Sequence, residues 1–160
     1  MSQSDAEKII RELERGHASH PWHGPSRKDV LKDITPDEAA RAPGGGAHTI
    51  WQLVLHMRSW TREVARRVRE GNWGEPAEGD FPAVGVTTND AWRDAVQGLD
   101  AAHDEVRSAL RALDAAKLDD VVQGSSGGDT LRETLHGLAQ HDAYHTGQIM
   151  VLKKLHRAKS

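Results

Sequence analysis

The sequence predicts an all-α protein, an antiparallel four-helix bundle with short extra helices and a long loop between the second and third long helices. Three observations carry that expectation. Four long segments repeat apolar residues at spacings of three and four, the period of a helix with one buried face. Glycine- and proline-rich stretches separate them. No stretch of useful length alternates with a period of two, so strands do not compete. Facing helices of such a bundle can host a metal or ligand site in the core.

The first helix is read over residues 5–17, with Ser4 and Glu7 at capping-box spacing and Ala6, Ile9, Ile10 and Leu13 along one stripe. Pro21-Trp22-His23-Gly24-Pro25 interrupts the pattern. Ser26 then caps a short helix through residue 33, and Thr35-Pro36 opens a second short turn toward Ala40. After the Pro43-Gly44-Gly45-Gly46 break, the second long helix covers 48–70, with Ile50, Leu53, Met57, Trp60, Val64 and Val68 on one face. Residues 71–88 carry glycines, Pro76, Pro82, Trp73 and Phe81 without periodicity, and a loop of that length is either functional or mobile. It is expected to pack over one end of the bundle through Trp73 and Phe81. The third helix, 88–113, shows a seam of Trp92, Val96, Leu99, His103, Val106, Leu110 and Leu113. After a glycine-rich break at 124–128, Thr130 and Glu133 form a capping box that opens the fourth helix, which runs to residue 156.

At 160 residues the chain is expected to form a single domain, 1–160. Lys and Arg number 21 against 24 Asp and Glu, a net charge of -3, which argues against a nucleic-acid binder. No apolar run approaches the roughly 18 residues of a membrane span. The Met-Ser-Gln-Ser-Asp start has neither a basic nor an apolar signal region, so a cytoplasmic location is expected. The absence of cysteine excludes disulfides, thiolate metal sites and cysteine nucleophiles, and fits a reducing compartment. Ten histidines, and five tryptophans among seven aromatics, are the compositional anomalies.

Helix geometry sorts the histidines. With about 100° per residue, His145 falls about 40° and Leu138 about 60° from His141, so both histidines sit in the apolar stripe of the fourth helix. Their i, i+4 spacing suits two ligands of one metal. On the second helix His56 lies about 40° from Trp60, at the edge of the buried face. Three neutral imidazoles converging in a bundle would satisfy zinc or a similar divalent metal, nickel among them, and leave a position open. His103 occupies a seam position, as a core residue, a base behind the ligands or a fourth ligand. A non-ligand role is favoured, since its own helix offers no paired ligand. His136 falls well off the stripe, His48 points outward, and His23 beside Trp22 is a pocket-rim candidate. His141-Asp142-Ala143-Tyr144-His145 departs from HExxH, since Asp142 replaces the glutamate base, and no third zincin ligand follows. Glu133-Thr-Leu-His136 matches half a di-iron motif but faces away from the stripe. No nucleotide-binding fingerprint is present.

Trp22-His23-Gly24-Pro25-Ser26, His48-Thr-Ile-Trp-Gln-Leu-Val-Leu-His56 and Leu135-His-Gly-Leu-Ala-Gln-His141-Asp-Ala-Tyr-His145-Thr-Gly-Gln-Ile149 resemble the DinB/YfiT-like superfamily over nearly the whole chain. The resemblance implies a four-helix bundle with a metal held by one histidine of the second helix and two of the fourth: His56, His141 and His145. Relatives include S-transferases and isomerases that use bacillithiol, mycothiol or glutathione-type thiols. Gly147 and Gln148 fit the family's GQI ending; Gly147 would permit close helix approach and Gln148 a hydrogen bond near the site.

The resulting expectation is a metal-dependent transferase that uses a low-molecular-weight thiol and a small-molecule electrophile held under the long loop. Asp142, Tyr144, Gln148, Trp60 and His103 are the candidates to line the pocket, orient groups or move a proton. The alternatives are a metal-dependent hydrolase and a non-catalytic metal- or ligand-binding stress protein. Met150, Val151, Trp51 and Leu55 lie off the main stripes of their helices, which is compatible with a homodimer, as the resemblance also implies.

Overall fold

Each helix opens where a hydroxyl side chain replaces the hydrogen-bond partner that a first turn lacks. In the computed structural model, which describes residues 4–158, α1 (Asp5–Ala18) follows Ser4, whose Oγ accepts from the Glu7 backbone N–H. Two short helices come next, α2 (Arg27–Leu31) capped by Ser26 and α3 (Pro36–Ala40) by a reciprocal Thr35–Glu38 box. α4 (Ile50–Glu70) starts with a Thr49–Gln52 box and stops at Gly71, whose φ of 70° is left-handed and favours a residue without Cβ. α5 (Asn89–Ala112) is capped by Thr88, a 3₁₀ turn (Ala115–Asp119) follows, and α6 (Leu131–Ala158) opens on the Thr130–Glu133 box. Among the described residues no strand forms, and isolated bridges at 72–123 and 121–130 only tie loops together. No described helix is long and apolar enough to cross a membrane. Of the stretch read for a targeting signal, residues 1–3 lie outside the described residues.

The four long helices pack as an all-α bundle in which α4 lies against both α5 and α6. Its core is divided in two. One apolar cluster joins α1, the C-terminal halves of α4 and α5, and the N-terminal part of α6 through Ile10, Val68, Leu110 and Leu135. The other joins α2, α3 and the opposite ends of the same helices through Val30, Ile50, Met57, Leu99 and Ile149. Between them, the buried side chains are polar: His56, Ser59 and Thr61 of α4, His103 of α5, Asp142, His145 and Thr146 of α6, and Arg27 of α2. A polar layer at this depth must find partners within the protein or in a ligand, since unpaired burial costs about 1–3 kcal/mol per group.

Three expectations change. The long loop does not cap an end of the bundle; it runs back along α4, because α4 supplies the partners. Ser59 Oγ donates to the Gly79 carbonyl at 2.6 Å, and Glu78 pairs with Arg58 and Arg62. Trp51 and Leu55 are buried within the chain, Trp51 tilted against Trp92 at 5.1 Å, so neither offers a surface to a second copy. At Gly147 an added Cβ would meet no atom within 4 Å, so this glycine mediates no close helix approach.

Candidate metal centre

The spacing of four on α6 stacks His141 and His145 one turn apart, and α4 brings His56 against both. His56 Nε2 lies 2.9 Å from His141 Nε2 and 3.1 Å from His145 Nε2. Two ring pairs meet edge to face, at 74° between His141 and His145 and 75° between His56 and His145, and His56 is tilted at 44° to His141. One ring nitrogen of each residue therefore points into a common volume, with all three ligand atoms within 4.8 Å of one another.

The outer nitrogens decide what the inner ones can do. His56 Nδ1 donates to the Asp80 carbonyl at 2.8 Å, and His145 Nδ1 donates to Gln148 Oε1 at 2.7 Å. Each of these rings, when neutral, then carries its lone pair on Nε2. Two lone pairs facing one another at 3.1 Å are not a hydrogen bond. Burial, with the neighbouring imidazoles, pushes His141 down to about 4, and burial likewise lowers His145, which disfavours resolving the conflict by protonating either. A shared divalent cation does relieve it. The donor set of three neutral imidazoles suits zinc and other borderline metals, so these residues fit the group.

Residues with no metal-ligand signature of their own complete the enclosure. Asp80 serves through its main-chain carbonyl, and its carboxylate accepts from Trp60 Nε1 at 2.7 Å. Phe81 is stacked between His56, at 4.2 Å, and His48, at 3.8 Å. His48 is thus exposed, as its outward reading expects, yet belongs to the wall of the site. The Trp73 and Phe81 anomaly in an unpatterned loop was the available signal; the carbonyl of residue 80 had none.

The sequence candidates divide between this centre and its surroundings. Tyr144, 63% exposed, lies edge-on to His145, and its hydroxyl accepts from Gln148 Nε2 at 3.1 Å. Gln148 therefore links the two, fixing His145 as it does so. Trp60 is held beside His56 by Asp80. Asp142 and His103 form a separate buried group: His103 Nε2 is 3.0 Å from Asp142 Oδ2, and Arg27 reaches Asp142, His103, His17 and Asp100. Burial works to raise the Asp142 carboxyl, but His103 and Arg27 outweigh it and hold it below its ordinary value. His23 is exposed in a groove of about 510 Å³ between α1 and α6, beside the fully exposed Trp22, and makes no contact with the three histidines. His136 pairs with Glu12 on the surface.

Beside His141 a second groove of about 300 Å³ opens between α4, the long loop and the first turns of α6. Trp60, Trp73, Val64 and Leu138 give it apolar walls.

The sequence model of the DinB superfamily matches residues 28–149, a span that includes His56, His141 and His145. No curated protein and no solved structure matches the chain.

Proposed function

The chain belongs to the DinB superfamily, and from that premise we propose that it is a metal-dependent transferase which joins a low-molecular-weight thiol to a small electrophile at His56, His141 and His145. The observation that carries this reading is the convergence of three imidazole Nε2 atoms whose outer nitrogens are, for His56 and His145, committed as donors. Zinc is the metal proposed, with nickel next, because the set holds nitrogen and no sulfur or carboxylate. The thiol is supported by the resemblance of the chain's motifs to a superfamily that includes thiol-dependent transferases. It must come from a small molecule, since the chain has no cysteine.

A divalent ion held by His56, His141 and His145 would supply Lewis acidity that lowers the pKa of a thiol toward neutrality. The chain's own residues do the rest. Asp80 and Gln148 hold two imidazoles in the ligating tautomer, and Phe81 shields His56 from water. Trp60 and Trp73 offer flat apolar walls to the electrophile. The exposed Tyr144 hydroxyl, already accepting from Gln148, keeps its own proton free to donate beside His145. A cytoplasmic location and a homodimer belong to the same reading. The exposed Val151 and Leu155 of α6 support the second, and light scattering showing a monomer at high micromolar concentration would end it.

The test uses protein purified without a His-tag or nickel resin. Elemental analysis is expected to find one metal per chain, lost in His56→Ala and His145→Ala. Incubation with thiols and a chromogenic electrophile is expected to give thiol-dependent turnover that His145→Ala abolishes. Thiol-independent ester or amide cleavage would replace the reading by a hydrolase, and stoichiometric metal without turnover by a binding protein.

A further inference from the structure

We propose that the groove beside His141 seats the electrophilic co-substrate of this reaction, and that this co-substrate is a flat apolar molecule carrying a protonated amine at the end away from the three histidines. The inference rests on the transferase reading above and adds the substrate class.

The groove follows one row of α6. Glu133, Gly137 and His141 recur at intervals of four, so they line up along the helix over about 12 Å. The histidine end borders the candidate metal centre. At the middle, Gly137 leaves the volume open: a Cβ built there would meet no atom within 4 Å. Any larger residue would project its side chain into free space along this row. Across from it stand Trp60 and Trp73, which with Val64 and Leu138 form an apolar wall suited to a flat molecule, although the Arg67 guanidinium lies over one face of Trp73.

The charge pattern selects the far end. Arg67 is the cation of the groove, 3.6 Å from the Trp73 ring centre and 5.5 Å from that of Trp60, but its charge is already engaged. Its Nε donates to Glu63 Oε1 at 2.9 Å and its Nη2 to the Gly74 carbonyl at 2.7 Å. Asp129 and Glu133 close the other end. Neutral donors hold both carboxylates: Ser125 Oγ donates to Asp129, and the Thr130 backbone N–H and hydroxyl donate to Glu133. The Thr130 backbone N–H also keeps Glu133 below its ordinary value, so it is ionised at neutral pH. Two exposed carboxylates that form no ion pair among the described residues at one end, an apolar middle and a cation-binding centre at the other end complement an amine-tailed aromatic and disfavour its carboxylate analogue.

The experiment is calorimetric titration of the full-length protein, metal-free and zinc-loaded, with phenethylamine and with 3-phenylpropanoate. Phenethylamine is expected to bind the metal-free protein at least tenfold more tightly. Gly137→Leu is expected to abolish that binding while melting at or above the parent temperature, since it fills open space and replaces a helical glycine. Glu133→Gln combined with Asp129→Asn, which keeps the capping hydrogen bonds, is expected to erase the preference for the amine. Equal affinity, preference for the carboxylate, no binding of either, or binding indifferent to Gly137→Leu would each overturn the inference. The titration requires neither metal nor thiol. Amine binding without thiol-dependent turnover therefore defeats the transferase reading alone, and turnover confined to anionic electrophiles defeats this inference alone.

Discussion

Gln148→Ala tests how far the candidate ligands depend on the groups behind them. Gln148 Oε1 is the acceptor for His145 Nδ1 at 2.7 Å, and its amide nitrogen donates to Tyr144 at 3.1 Å. Truncation removes the acceptor that places the His145 lone pair on Nε2, and frees the ring to rotate. Loss of such a partner typically weakens metal affinity about 10- to 100-fold, or about 1.4–2.7 kcal/mol. Tyr144→Phe removes only the outer link of the chain and is expected to change affinity by less than about threefold. Asp80→Ala leaves the main-chain acceptor of His56 in place, so it too should fall well short of Gln148→Ala, although it deletes a carboxylate oxygen 3.1 Å from His56 Nδ1. Competition titration against a chromophoric zinc chelator, with tag-free protein, measures all three. Affinity of Gln148→Ala within twofold of the parent would refute the assignment of Gln148 as the residue that orients His145.

Three further outcomes follow from the same geometry. His141 and His17 are both held at about 4, chiefly by burial, below the ordinary value of 6.5, so the unfolded chain takes up protons first as pH falls. Stability of the metal-free protein is expected to be fully present above about 6.5 and to decline toward 4; urea midpoints unchanged between pH 7 and 4.5 would contradict this. Leu135, fully buried in the cluster at the α1 end of the core, should cost about 2–5 kcal/mol as alanine yet leave metal stoichiometry at one per chain, as denaturation and elemental analysis can check. Phe81→Ala uncovers His56 and is expected to speed metal release to excess chelator with little change in helix content; an unaltered release rate would show that the ring does not shield the site.

How much of this was legible beforehand depends on the range of the interactions involved. Helix positions were readable because capping and periodicity are local: Ser4, Ser26, Thr35 and Thr130 each satisfy backbone groups within three residues. The trio His56, His141 and His145 was readable for the same reason, since one helical turn brings two of them together and the buried face of α4 presents the third. The remainder is long-range. Arg27 meets His103, Asp142 and His17 from three other helices, and nothing local in Ser26-Arg27-Lys28 marks that arginine as a buried hub rather than a solvated cation. Asp80 acts through a backbone oxygen, which every residue possesses, so only the path of the loop along α4 could reveal it. Trp51 and Leu55 looked like surplus apolar surface by helical angle, but α4 is covered by neighbours on most of its circumference. Local periodicity determined which residues share a face; tertiary packing alone decided which faces are covered, because coverage depends on elements distant in the chain.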